Sequence, residues 1–255
     1  MSEKIIYENV VSYYNEHTKN KLGDYITVSP RIEEAFKTLV NNVKINPENI
    51  LEVGCGVGSI CHKMNRKWPQ ATITGIDIST ESISIANKLF ANEKVNFLVS
   101  LLTPETFNQK FDLIIFMDVY EHIAVEDRKT VHSALKTILN DKGKIFLSVP
   151  TPHNLKWSLV NKPETMQPVD EHISYEVIGK LAIDTETEVR NYQIKDIWNE
   201  GDYAHAVLEK NDDFESYFFK PKKVNSTEKL KRILAKINYL VTKPVRLLRI
   251  KQKLK

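Results

Sequence analysis

The run Asn49-Ile50-Leu51-Glu52-Val53-Gly54-Cys55-Gly56-Val57-Gly58 constrains the fold of this chain more than any other feature. Ile50 to Val53 reads as a buried strand, and three alternating glycines then lead into a helix. Glycine lets the backbone pass close to a ligand where a side chain would block it. The next apolar run closes on Gly75-Ile76-Asp77-Ile78, with Asp77 nineteen residues beyond Gly58. A carboxylate at that place can accept from both hydroxyls of a ribose. Together the two stretches describe a nucleoside-binding crevice at the carboxyl edge of a parallel sheet. A tight strand-to-helix turn with no ligand is the plainer alternative.

The dinucleotide fingerprint needs glycines at its first, third and sixth positions. Here they fall at the first, third and fifth, and the sixth is Ser59. Glu52, just before the loop, would oppose a pyrophosphate and suits a cationic ligand instead.

Around this motif, strand and helix patterns alternate at 50–53, 59–67, 72–76, 80–91, 95–99, 112–117, 125–139 and 143–149. Such alternation predicts a doubly wound α/β fold, a parallel sheet with helices on both faces. Residues 5–44 read as helical, from apolar positions such as Ile32, Phe36, Leu39 and Val43. Thr151 to Asp170, with Pro152, Pro163 and Pro168, reads as a long loop of the kind that forms lids or binding segments. A helix over Tyr175–Ile183 and strands near 188–197 and 203–209 follow.

Four successive blocks resemble the class I S-adenosylmethionine-dependent methyltransferases. They are LEVGCGVG at Leu51–Gly58, GIDIS at Gly75–Ser79, FDLIIFMDVYEHI at Phe111–Ile123 and LNDKGKIFLSVPTP at Leu139–Pro152. The resemblance implies a mostly parallel seven-stranded Rossmann-like sheet closed by an antiparallel hairpin, with S-adenosylmethionine as cofactor. Gly54 and Gly56, with Gly58 and Glu52, would line the methionine part, and Asp77 would hold the ribose. Ile78 and Leu101 would flank the adenine, and Met117 would also touch the cofactor. Ser100 stands where many relatives carry Asp. Ser29-Pro30-Arg31-Ile32 resembles the Pro-x-Arg stretch of the ubiquinone-pathway O-methyltransferases, whose arginine meets the cofactor carboxylate.

Composition narrows the rest. The expected organisation is a helical cap (1–45), a cofactor-binding domain (46–219) and a basic amphipathic helical tail (220–255). From Lys220 onward, thirteen Lys or Arg face a single acid, Glu228, whereas residues 1–219 carry net −9. The acidic body argues against a nucleic-acid surface. Leu230, Ile233, Leu234, Ile237, Leu240 and Val241 form an apolar stripe in the tail, and Pro244 stops the helix. A helix packed on the core is one reading. The other is an anchor on anionic lipid. Cys55 and Cys61 match no zinc or redox pattern and fit a reduced cytoplasm, with no apolar run near twenty residues. The expected location is therefore cytoplasmic, with the inner membrane surface as the peripheral alternative. Oligomeric state is open.

Methyl transfer to a hydroxyl needs an aligned acceptor and a base or metal near the crevice mouth. Asp118, Glu121 and His122, at i, i+3 and i+4, would share one face of a helical turn. His153, Asp170, Glu171 and His172 are later candidates. In the similar small-RNA 2′-O-methyltransferases, a Glu-x-x-Glu-His block and a later His bind a divalent ion. By that resemblance Asp118, Glu121, His122 and His172 would hold Mg²⁺, Mn²⁺, Fe²⁺ or Zn²⁺. Metal-free relatives carry a similar Glu-His that caps the helix and lines the acceptor pocket, so the alternatives are His122 or His172 as a metal-free general base with Glu121, or a purely structural role. Tyr13, Tyr14 and Trp157 are candidate aromatic walls, and Tyr25 stands in the same front segment. His17, His62, His132 and His205 show no partner pattern. The expected activity is O-methylation of a small-molecule, sugar or lipid-linked hydroxyl. The alternatives are an RNA methyltransferase, an N-methyltransferase of a small amine or amino sugar, and a cofactor-binding scaffold.

Overall fold

The computed structural model describes residues 3–18, 23, 25, 26 and 29–210, together with scattered helical positions between 226 and 244. The chain divides into two compact units, Met1–Asp212 and Asp213–Lys255, and the first contains both N-terminal helices. Its seven-stranded sheet is built from β1 (Asn49–Val53), β2 (Thr72–Asp77), β3 (Val95–Val99), β4 (Phe111–Met117), β5 (Leu139–Pro150), β6 (Glu188–Lys195) and β7 (Tyr203–Glu209). The spatial order is β3-β2-β1-β4-β5-β7-β6. The first five strands run parallel, and β7 pairs antiparallel with both β5 and β6. β1 and β4 are apolar runs buried on both faces, whereas the edge strand β6 alternates in exposure.

Helices cover the two faces of this sheet. They are α1 (Glu3–Glu16), α2 (Pro30–Val43), α3 (Ser59–Lys67), α4 (Thr80–Phe90), α5 (Arg128–Ile138), α6 (Pro152–Asn161) and α7 (Tyr175–Asp184). Leu51, Ile114 and Leu147 point into one core with Leu135 of α5 and Leu181 of α7. Ile50, Leu113 and Phe146 point into the other, with Leu39 of α2, Met64 of α3 and Ile83 of α4. The chain moves outward from β1 to β3 and returns on the other side through β4. The crevice between the carboxyl ends of β1 and β4 is thus the topological switch point, where ligands bind in such sheets.

One expectation about the fold is corrected. The stretch 151–170 is not a loop: it holds α6 and a 3-10 turn, Pro163–Thr165. Thr151 caps α6 by accepting from the Asn154 N–H, and Pro152 opens the helix, where its missing donor costs nothing. Prolines that read as loop punctuation therefore mark helix starts. Within the helical N-terminal stretch, Pro30 opens α2 in the same way. In the second unit, Leu230, Ile233, Leu234, Ile237 and Val241 are helical, while Leu240 and most of the basic residues lie outside the described residues.

Candidate active site

The glycine loop turns where β1 ends. Gly54, Gly56 and Gly58 all have left-handed φ, at +70°, +54° and +82°. A Cβ on Gly54 would lie 2.4 Å from Val119 Cγ2, so the β1 turn and the segment after β4 approach to a distance only glycine allows. Asp77 ties the loop to β2: its Oδ2 accepts the Gly56 N–H and its Oδ1 the Ser79 N–H, each at 2.8 Å. Ile78 is half-buried and Leu101 exposed, which leaves apolar surface beyond Asp77. The Ser100 hydroxyl donates to the Leu101 carbonyl at 2.8 Å. Glu52 is buried and accepts from Cys61 Sγ–H at 2.9 Å, which ties its carboxylate to α3.

Beyond β4 the backbone bends sharply. Asp118 has φ +55°, and a short 3-10 turn, Tyr120–His122, follows Val119. The expected shared face of Asp118, Glu121 and His122 is thereby broken. Asp118 turns to Arg31, with Nη1 to Oδ2 at 2.5 Å. Arg31 also hydrogen-bonds the buried Tyr203, whose hydroxyl is pushed far up by burial and then by the Asp118 charge. A buried chain braces the turn from behind. Tyr120 Oη meets His132 Nε2 at 2.7 Å, and His132 Nδ1 meets Asp184 Oδ2 at 2.8 Å. His132 is thus a partnered core histidine. His17 and His62 stack on Tyr13 and Phe90, and His205 is buried in β7.

The reactive pair is Glu121 and His122. Glu121 is 3% exposed, and neither carboxylate oxygen has a hydrogen-bond partner. Burial drives its pKa well above the carboxylate range, and Asp118 adds to the rise against the opposing pull of His122. His122 Nδ1 lies 2.8 Å from the Val169 carbonyl and 3.1 Å from Asp170 Oδ1. A carbonyl only accepts, so Nδ1 carries a proton and the lone pair of neutral His122 is on Nε2. Nε2 faces Glu121 Oε1 at 3.8 Å, beyond hydrogen-bond range. Burial lowers the His122 pKa, but Glu121, Asp170 and the Val169 carbonyl together outweigh it, and the net shift is upward.

From the sequence, Tyr14 is either an aromatic wall or half of a core-packed pair with Tyr13. Its hydroxyl is pushed far up by burial and by the charges of Glu121, Asp170 and Asp77. Its ring is 6.4 Å from that of His122. Helix α1 is fastened there by Thr18 Oγ1 on Ser82 Oγ at 3.0 Å and by Asn15 Oδ1 accepting from Ser79 Oγ at 2.7 Å. The Val169 carbonyl had no sequence signal at all, because backbone acceptors carry no residue signature.

The predicted metal set does not converge. His172 is exposed, Asp118 is engaged by Arg31, and Asp170 takes the place on His122. Among the described residues no three His, Cys, Asp or Glu side chains gather as a metal site. Trp157 is exposed on α6, with Lys162 Nζ 5.4 Å above its ring.

The profile of a family described as methyltransferase domain matches residues 15–182. The chain belongs to that family. Malonyl-[acyl-carrier protein] O-methyltransferase 2 of Ilyobacter polytropus is 29% identical over 172 residues, spanning 66% of this methyltransferase but 60% of that protein. Ubiquinone biosynthesis O-methyltransferase of Actinobacillus pleuropneumoniae is 33% identical over 109 residues, 40% of this chain and 45% of the other. The chain thus spans about half to three-fifths of the length of these curated relatives. Magnesium protoporphyrin IX methyltransferase from Synechocystis PCC 6803, solved with bound SAH, shares the fold at TM-score 0.60 and 16% identity, over 81% of this chain and all of that one. The SAH held by that neighbour makes S-adenosylmethionine the group against which the residues of this chain are tested. The residues of this chain fit that group: a left-handed glycine turn at the end of β1, a carboxylate at the end of β2 and uncovered apolar surface beside it.

Proposed function

We propose that this methyltransferase transfers the methyl group to a hydroxyl of a small-molecule, sugar or lipid-linked acceptor, with His122 as general base and Glu121 as its partner. The observation that carries the reading is unspent hydrogen-bonding capacity in a buried place. Glu121 has two partnerless oxygens, and His122 Nε2 faces them across 3.8 Å. Burying polar atoms without partners is costly, so a site that keeps them implies a ligand that completes them. When bound, S-adenosylmethionine supplies an activated methyl on a sulfonium, open to in-line attack. The acceptor hydroxyl would donate to Nε2, and its proton would pass to the imidazole as the new C–O bond replaces the methyl's bond to sulfur, the sulfur leaving as a neutral thioether. The resulting imidazolium is stabilised by the Asp170 carboxylate at Nδ1 and faces Glu121, whose buried carboxyl shares a proton with it. Asp77, Ile78, Leu101, Met117 and the three glycines hold the cofactor in this reading, and Tyr14 and Tyr203 close the acceptor side. Arg31, bridging Asp118 and Tyr203, holds the wall between the two.

The same partnerless carboxylate would also suit an ammonium acceptor. Phosphoethanolamine N-methyltransferase of Plasmodium falciparum is 28% identical over 118 residues, which supports that second reading. One experiment separates them. Cell extract is incubated with the enzyme and methyl-labelled S-adenosylmethionine, and the labelled product is treated with mild alkali and passed over a cation exchanger. An ether from a hydroxyl survives alkali and flows through. A methylamine is retained, and a methyl ester releases labelled methanol; either result would overturn hydroxyl transfer.

A further inference from the structure

Each unit, taken by itself, leaves an apolar surface uncovered. In the first unit α6 buries only Leu155 and holds Trp157, Leu159 and Val160 outward, Val160 at 80% exposure. The Lys162 ammonium over the Trp157 ring gives that surface a cationic rim. The segment runs on through the Pro163–Thr165 turn to Val169 and Asp170, the two residues that grip His122. In the second unit, Leu230, Ile233, Leu234, Ile237 and Val241 recur at three and four residues and are all more than half exposed. The sequence around them is strongly cationic, thirteen Lys or Arg against Glu228 from Lys220 onward.

We infer that the second unit docks on an anionic lipid bilayer through its helical residues Leu230, Ile233, Leu234, Ile237 and Val241, with the Trp157 face of α6 as a second, independent lipid contact. An aliphatic stripe within a cationic segment is the pattern of a helix lying in the headgroup plane. Each basic residue near such a surface adds to the attraction, and tryptophan with a neighbouring lysine suits the same boundary. RNA fits less well. Five exposed aliphatic side chains find no counterpart on a phosphate backbone, and Tyr239 is the sole aromatic from Lys220 onward for base stacking. A second copy would bring one cationic tail against another. Among the described residues no helix is long and apolar enough to cross a membrane, so the contact is peripheral. Lipid at α6 would place a lipid-linked hydroxyl one short segment from His122. That last link rests on the hydroxyl-transfer reading; the docking does not.

The test uses the full chain without cofactor, sedimented with phosphatidylcholine vesicles with and without one-third phosphatidylglycerol. Binding should be at least about tenfold stronger to the anionic vesicles and should weaken with salt. The double substitution Ile233→Asp with Ile237→Asp should lower it at least about tenfold. Trp157→Phe should abolish part of the tryptophan quenching by brominated lipid. Retained SAH binding by each variant shows that the body is folded, and loss of SAH binding by the wild type would count against the cofactor site alone. Equal binding to both vesicle types, or unchanged binding by the double variant, would overturn the docking. So would oligouridylate binding tighter than vesicle binding and indifferent to the double variant, which would assign the tail to RNA. A dimer that the double variant dissociates while vesicle binding stays the same would assign the stripe to self-association.

Discussion

The proposed cofactor edge and the proposed acceptor edge of this crevice are built differently. The first is nearly contiguous: Gly54 to Gly58 and Asp77 to Ser79, joined by one carboxylate on two backbone N–H groups. The second gathers Tyr14, Arg31, the turn Asp118–His122, Val169 with Asp170, and Tyr203 from five separate stretches of chain. Backbone conformation dictates the cofactor half, so it tolerates little change in its glycines. Side chains delivered by helices and turns dictate the acceptor half, where one scaffold can serve many chemistries.

The sharpest way to separate the halves is His122→Gln. Removing the base should lower turnover by about 10²- to 10⁴-fold, while SAH affinity by titration calorimetry should change less than about twofold, the free-energy scale of a distant and independent site. In the wild type the rate should rise with pH to a plateau, through a midpoint above that of an ordinary imidazole, because the carboxylates beside His122 hold its proton. The variant should lose that rise. A matching loss of SAH affinity would break the comparison, since the edges would then not be separable.

Legibility followed the same division. The glycine run, Asp77 and the strand alternation are local, so their periodicity and spacing specify the fold and the turns at the ends of β1 and β2 directly, where we propose the cofactor binds. The acceptor edge depends on tertiary arrangement. Local spacing placed Asp118 with Glu121 and His122, but left-handed backbone at Asp118 sends its carboxylate to Arg31. Sequence position favoured His172, whereas Asp170 and a backbone carbonyl occupy the place beside His122. The long polar stretch after Pro150 hid α6, because Pro152 ends a strand pattern and begins a helix with the same residue.

An acid limb in activity could arise from the sheet rather than from His122, and His205 decides the matter. It is buried, neither ring nitrogen has a hydrogen-bond partner, and burial together with Lys195 lowers its pKa to about 4. The unfolded chain takes up that proton near pH 6.5, and the folded chain only near 4. Its contribution to stability is therefore complete above pH 6.5 and is lost as pH falls through that window. The loss approaches about 3 kcal/mol below pH 4. His205→Leu should flatten the melting temperature between pH 6.5 and 4 and leave the neutral value unchanged or higher. If its activity profile keeps the same acid limb, that limb belongs to the acceptor edge.

On the cofactor side, Asp77→Ala removes the carboxylate that clamps Gly56 and Ser79. SAH should bind about 30-fold more weakly, a loss of about 2 kcal/mol. Turnover at saturating cofactor should stay within about threefold, less than 1 kcal/mol. A turnover loss as large as that of His122→Gln would mean that Asp77 also sets the acceptor geometry.

The smallest expected effect tests the one element that spans both edges. Thr18 joins α1 to α4 through Ser82 and donates to the Tyr14 carbonyl at 3.1 Å, one helical turn back. Thr18→Val keeps the shape and removes the hydroxyl, leaving Ser82 with one partner fewer, at a cost of about 1 kcal/mol. SAH affinity and turnover should both fall by about two- to fivefold, because the fastening of α1 and the placement of Tyr14 loosen together. Ser82→Ala in the same chain should recover part of the stability, since no buried hydroxyl is then left short of a partner, but it should not recover turnover. Recovery of both would mean that the hydroxyl pair serves packing alone. A fall in SAH affinity with turnover unchanged would assign α1 to the cofactor edge and leave Tyr14 without a part in acceptor chemistry.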